Sequence, residues 1–177
     1  MTTRAFFLLA TLLTAVPAWT LDLKGVELGK IATRTQLTES LGLNFGESYC
    51  RMHRDMPPDE RAGSYRCDGG TTIEGVHAYV EVTFTSTDVI DQIQVNLLPG
   101  YFDQIAAAAA RKWGKPAITR ATLRNGFGAQ YAEVIHEWKV DGGSAALYQV
   151  DPSDVSHALL LLKSHVEAAP DPSKSRM

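Results

Sequence analysis

Glu133 to Val150 reads EVIHEWKVDGGSAALYQV, and the fold class turns on how this stretch is read. Val134, His136, Trp138 and Val140 fall on one face of an extended chain, with Glu133, Ile135, Glu137 and Lys139 on the other. That period of two is the pattern of a half-buried strand. Asp141-Gly142-Gly143 offers the unusual backbone angles of a tight turn and sends the chain into a second strand, Ala145 to Val150. Asp151-Pro152-Ser153-Asp154 turns it again, into Ala158 to Lys163. Connections this short join antiparallel neighbours.

Working back toward the N-terminus, Tyr101 to Trp113 is rich in helix formers, and Gly114 and Pro116 end it. Phe102, Ile105, Ala109 and Trp113 line one side at helical spacing, the mark of a core-facing stripe. Two alternating strands precede that helix. Val80, Val82 and Phe84 oppose Glu81 and Thr83 in one, and Ile93, Val95 and Leu97 oppose Gln92, Gln94 and Asn96 in the other. Earlier still, Thr33 to Leu41 predicts a short amphipathic helix with Leu37 and Leu41 one turn apart, capped by Thr33 or Thr35 and stopped by Gly42.

The two halves share punctuation. Gly42 and Gly114 follow the helices, and Asp68-Gly69-Gly70 and Asp141-Gly142-Gly143 stand at nearly equal distances beyond them. Thr87-Asp88-Val89 then matches Ser153-Asp154-Val155, with Thr71 to His77 as an enlarged hairpin loop in the first half. The expected fold is α+β: two tandem α-β-β-β repeats, 19–98 and 99–164, forming an antiparallel sheet with the helices on one face. This punctuation resembles the tandem helix-plus-sheet domains of the beta-lactamase inhibitor protein and of the small outer-membrane-assembly lipoproteins. Those folds usually place a pair of helices before each sheet, where one is evident here, and the lipid-bearing cysteine of the assembly proteins is missing. The resemblance implies a protein-binding role in the cell envelope and carries over no catalytic residue.

The ends concern address. Arg4, the apolar run Ala5 to Ala15 and the small-residue site Val16-Pro17-Ala18 predict a cleaved signal peptide over 1–18, too short to cross a bilayer core of about 20 residues. A mature chain beginning at Trp19 is expected to be soluble and periplasmic. Beyond Ser164 the segment 165–177 has nothing to pack and predicts a frayed tail. In an oxidising compartment Cys50 and Cys67, the only two cysteines, favour a disulfide. The alternative, a metal site using Cys50, His53, Cys67 and His77, lacks a standard second half-site.

A formal charge of −3 argues against a dedicated nucleic-acid binder. No nucleophile elbow, phosphate-cradling loop, His-Glu-x-x-His or Cys-x-x-Cys is present. No catalytic residue, metal ligand or cofactor is assigned, and His136 beside Trp138 reads as a satisfied histidine at a core edge. Two surfaces stand out. Arg111, Lys112, Lys115, Arg120 and Arg124 form a stretch without acid before Glu133, suited to anionic headgroups or an acidic partner, or simply to a solvated helix end and loop. Aligning the repeats at Asp88 and Asp154 sets Ile93 and Val95 over Leu159 and Leu161 and turns Ala158, Leu160 and Leu162 outward, with Ile135 and Leu147 extending the patch. Either the segment Leu21 to Ile31 or the other repeat covers those residues, or a partner does. The functional expectation is a non-enzymatic binding or accessory module whose partner is an unknown envelope protein or a second copy. The alternative is a small periplasmic hydrolase or ligand-binding protein with its site between the repeats.

Overall fold

The computed structural model describes residues 20–46, 50–57, 63–124 and 128–165. The signal segment 1–18, the tail beyond His165 and residues 125–127 lie outside the described residues. The first described element is a tight hairpin, β1 (Asp22–Leu23) and β2 (Val26–Glu27), whose turn uses Lys24 and Gly25 at positive φ. Helix α1 (Arg34–Leu41) follows. Thr33 caps it by accepting from the Gln36 N–H, and Gly42 closes it in the left-handed conformation. Three strands come next: β3 (Tyr65–Ile73), β4 (Val76–Phe84) and β5 (Ile90–Leu97). A 3-10 turn, Pro99–Tyr101, leads into α2 (Phe102–Trp113). Four strands complete the chain: β6 (Ala117–Arg124), β7 (Gln130–Val140), β8 (Gly143–Tyr148) and β9 (Ala158–Ser164).

All seven long strands form one antiparallel sheet in the order β3-β4-β5-β9-β8-β7-β6. The architecture is α+β, mostly sheet. The halves meet where β5 pairs with β9, so the sheet is continuous across the middle of the molecule.

Three expectations about elements need correction. Asp68-Gly69-Gly70 is the middle of β3, and the turn is Glu74-Gly75, both at positive φ. Residues 71–77 are therefore two paired strand ends and a tight turn, not an enlarged loop. Strand β6 also exists, although no alternation marks it, which brings the second half to four strands.

Cross-strand register sorts the side chains. Directly paired residues of antiparallel strands share a face. One row runs Gly69, Val80, Val95, Leu160, Leu147, His136, Ile118, and its neighbour runs Cys67, Val82, Ile93, Leu162, Ala145, Trp138. Both helices lie on this face. The α1 terminus meets it at Gly69, where an added Cβ would collide with the Gly42 carbonyl. Helix α2 meets it through Trp113 against Trp138 and Phe102 against His136. The β1–β2 hairpin adds Leu21, Leu23, Val26 and Leu28 to the same core. Cys50 and Cys67 are bonded, with Cα atoms 5.2 Å apart, and tie the segment before β3 to that strand.

Candidate functional site

The register overturns the outward placement of four residues. Leu162 pairs with Ile93, Leu160 with Val95 and Ala158 with Leu97, so the three lie on the helix-covered face, and Leu147 pairs with Leu160. All four are buried. The cover is intramolecular: a hollow at Leu160 is walled by Leu23 of β1 and by Ile105 and Ala109 of α2. The misreading has a physical origin. Ala158 to Leu162 is apolar at every position, and an uninterrupted run carries no alternation from which to set the face.

The opposite face carries no helix among the described residues, and its composition differs between halves. In the first half it presents Asp68, Glu81 and Gln94 in one row and Arg66, Thr83 and Gln92 in another. In the second half those rows continue as Leu161, Ala146 and Glu137 and as Lys163, Ser144 and Lys139. A third row sets Leu159, Tyr148 and Ile135 side by side. Ile135 is thus the one member of the expected patch on the open face, and Leu159 and Leu161 take the places assigned to Leu160 and Leu162. Beside them is a hollow of about 420 Å³, lined by Leu161, Ala146 and Tyr148 and edged by Lys115, Lys139 and Lys163. Burial, reinforced by Glu137 and Glu133, raises the Tyr148 hydroxyl above its ordinary value and keeps it a neutral donor.

The five cations do not form one patch. Arg111 pairs with Glu74 at 2.9 Å and Lys112 with Asp22 at 2.7 Å, so both fasten α2 to the first half. Lys115, Arg120 and Arg124 lie on the linker and β6, are exposed, and make no ion pair among the described residues.

Two polar clusters went unnoticed in the sequence. Asp88, buried at the β4–β5 turn with φ 61°, accepts from the N–H groups of His53 (2.7 Å) and Arg54 (3.0 Å) and from the Tyr65 hydroxyl (2.7 Å). Burial alone would raise its pKa, but those donors and the Arg54 charge outweigh burial and lower it. The second cluster is Asp154, Ser156 and His157. The serine hydroxyl and the Asp154 carboxylate both meet the same ring nitrogen, Nδ1 of His157, at 3.0 and 2.8 Å, and Asp154 also accepts directly from the serine at 2.6 Å. A general-base relay needs the nucleophile and the carboxylate on different nitrogens. This is a self-bonded turn whose Asp154 carboxyl is held down to about 2, first by the Ser156 hydroxyl and N–H and then by His157.

His136 departs from its expected reading. Its ring packs edge-on against Phe102 and Trp138, but Nδ1 is buried without a hydrogen-bond partner among the described residues. Burial and the Arg120 charge lower its pKa against the opposing pull of Asp103, so it is neutral at neutral pH. Among the described residues no group of three or more His, Cys, Asp or Glu is placed to hold a metal ion.

Comparison of the chain with protein-family models, curated proteins and solved structures returns no match. Among the described residues no helix is long and apolar enough to cross a membrane.

Proposed function

We propose that this chain is an exported, non-catalytic binding module of the cell envelope, and that a protein partner engages the open face of the sheet over β7, β8 and β9. The observation that carries this reading is the contrast between halves. Over β3 to β5 the open face carries the single aromatic Tyr79 among polar residues, but in the second half it presents Ile135, Tyr148 and Leu161 together, where no described helix covers it. A one-layer cover predicts a polar open face throughout. Burying Leu161 against a partner would contribute on the order of 1.5–3 kcal/mol. Export is supported by the Arg4 to Ala18 signal pattern and by the Cys50–Cys67 bridge, a bond favoured outside the reducing cytosol. The arrangement is also consistent with two related units, α1-β3-β4-β5 and α2 with β6 to β9, whose last strands pair.

The test is affinity capture from native envelope extract with the mature chain and with Leu161→Asp, each first shown to be folded by circular dichroism. The reading expects a partner retained by the parent and lost from the variant. Equal capture by both, or none by either, sinks it. A second reading, a ligand-binding protein, draws support from the hollow of about 320 Å³ between α2 and the β1–β2 hairpin, with Ile105, Ala109 and Leu23 on its walls and the Lys112–Asp22 pair at its rim.

A further inference from the structure

The two edges of the sheet are treated differently. Along β3, Leu43 bridges Gly69, the Asn44 N–H donates to the Asp68 carbonyl at 3.3 Å, and the Thr71 hydroxyl donates to the Ser40 carbonyl at 2.9 Å. The end of α1 and the residues after it therefore occupy that edge. At the other edge, seven of the eight β6 residues are exposed, and no described segment pairs with its free side. Proteins usually blunt such an edge with a bulge, an internal proline, a very short strand, a covering element or charged side chains. Among the described residues, β6 has only the last of these. Its register with β7 is unbroken from Ala117 opposite Glu137 to Arg124 opposite Gln130, and the nearest proline, Pro116, precedes it.

What β6 does carry is charge of one sign. Arg120 and Arg124 share a face with Thr122 between them, Lys115 stands just before the strand, and β6 has no acidic residue. Of the two acids across the hairpin, both on the face opposite the arginines, Glu137 is exposed beside Ala117, and Glu133, beside Ala121, is buried and occupied by the N–H groups of Gln149 and Val150. We propose that the free edge of β6 accepts an extended acidic segment of a partner protein as an added antiparallel strand. Main-chain groups supply the attraction, and the cations select the sign. A second copy is the poorer occupant. A two-fold antiparallel pairing of β6 with itself sets the arginines of both copies on one face, where like charges repel. The opposite face of β6 is small at Ala117, Thr119 and Ala121, with Leu123 at its far end, and leaves room for larger side chains of the incoming strand beside 117–121. This edge is distinct from the open-face contact and does not depend on it.

The probe is a capped peptide of about nine residues alternating valine and glutamate, long enough to match β6. It is titrated into the mature chain while amide hydrogen exchange is followed residue by residue. The expected result is slowed exchange at alternate amides of 117–124, roughly tenfold or more at saturation. The charge-swapped variant Arg120→Glu, Arg124→Glu lies on an exposed strand and should stay folded. It should weaken binding of the peptide about tenfold or more and favour the lysine analogue instead. Methylating alternate peptide nitrogens on the edge facing β6 should abolish binding, and Leu161→Asp should bind as the parent does. Absence of protection in 117–124 overturns the proposal. So does equal binding of the methylated peptide, which would show attraction by charge alone without strand pairing.

Discussion

At Asp88 two backbone N–H groups, a tyrosine hydroxyl and the Arg54 guanidinium converge on one carboxylate, and this holds the segment after Cys50 against the β4–β5 turn. Glu133 is equally buried, yet its pKa is raised: burial dominates, Asp151 adds to it, and the N–H groups of Val150 and Gln149 only partly oppose it. The two groups therefore respond to pH with opposite signs. The Asp88 carboxyl lies below its ordinary 3.8 in the folded chain, so its contribution is present above that value and is lost as pH falls through the folded one. The Glu133 carboxyl lies above its ordinary 4.5, so its contribution is full below that value and is lost as pH rises through the folded one. Urea unfolding of the parent, Asp88→Asn and Glu133→Gln between about pH 3 and pH 7 checks this. Asp88→Asn tolerates the positive φ but turns one acceptor into a donor, and should lose about 1–3 kcal/mol at pH 7, with the deficit shrinking in acid. Glu133→Gln keeps an acceptor without a charge to bury. It should stay within about 1 kcal/mol of the parent at pH 7 and compare least favourably in acid. Neither hub was legible in the sequence, because each joins residues that only strand pairing brings together.

Among elements, the two helices with glycine stops were legible to within a residue, and the strands with clean alternation were legible too, although β4 and β7 start at least three residues before their alternation marks them. Strand β6 was not, since neither face of that strand is buried and no apolar period is imposed on it. Asp68-Gly69-Gly70 misled for a different reason. Its composition matches a turn, but glycine inside a strand can also mark close approach of another backbone. That is its use here: a Cβ at Gly69 would fall on the Gly42 carbonyl, whereas at Gly70 the nearest atom is the Ala78 carbonyl at 3.9 Å. The neighbours should therefore part company. Gly69→Ala must push the end of α1 off the sheet, and should lower stability by about 1–3 kcal/mol or more. Gly70→Ala meets ordinary space and should be tolerated within about 1 kcal/mol. Equal urea midpoints for the two variants would remove this account of how α1 seats on β3.

For the whole molecule, the decisive contact is β5 with β9, which makes the covered face one core shared by both halves. The added apolar residues of the second half were legible, but the phase of β9, and so the face that carries them, was not: five successive apolar residues allow either face inward, and only pairing with β5 chooses. Leu160 and Leu161 test that choice directly. Leu160 is buried between Val95 and Leu147, and a carboxylate there has no partner, so Leu160→Asp should unfold the chain as a unit, with near- and far-ultraviolet signals lost together. Leu161 sits half-buried on the open face between Gln94 and Ala146, where the aspartate can reach water, and Leu161→Asp should remain folded with a single thermal transition. If the outcomes were exchanged, β9 would be turned over and the open face would belong to Leu160 and Leu162 after all. If Leu160→Asp instead gave two separated transitions, the halves would be independent units, and the continuous sheet could not be what holds them together.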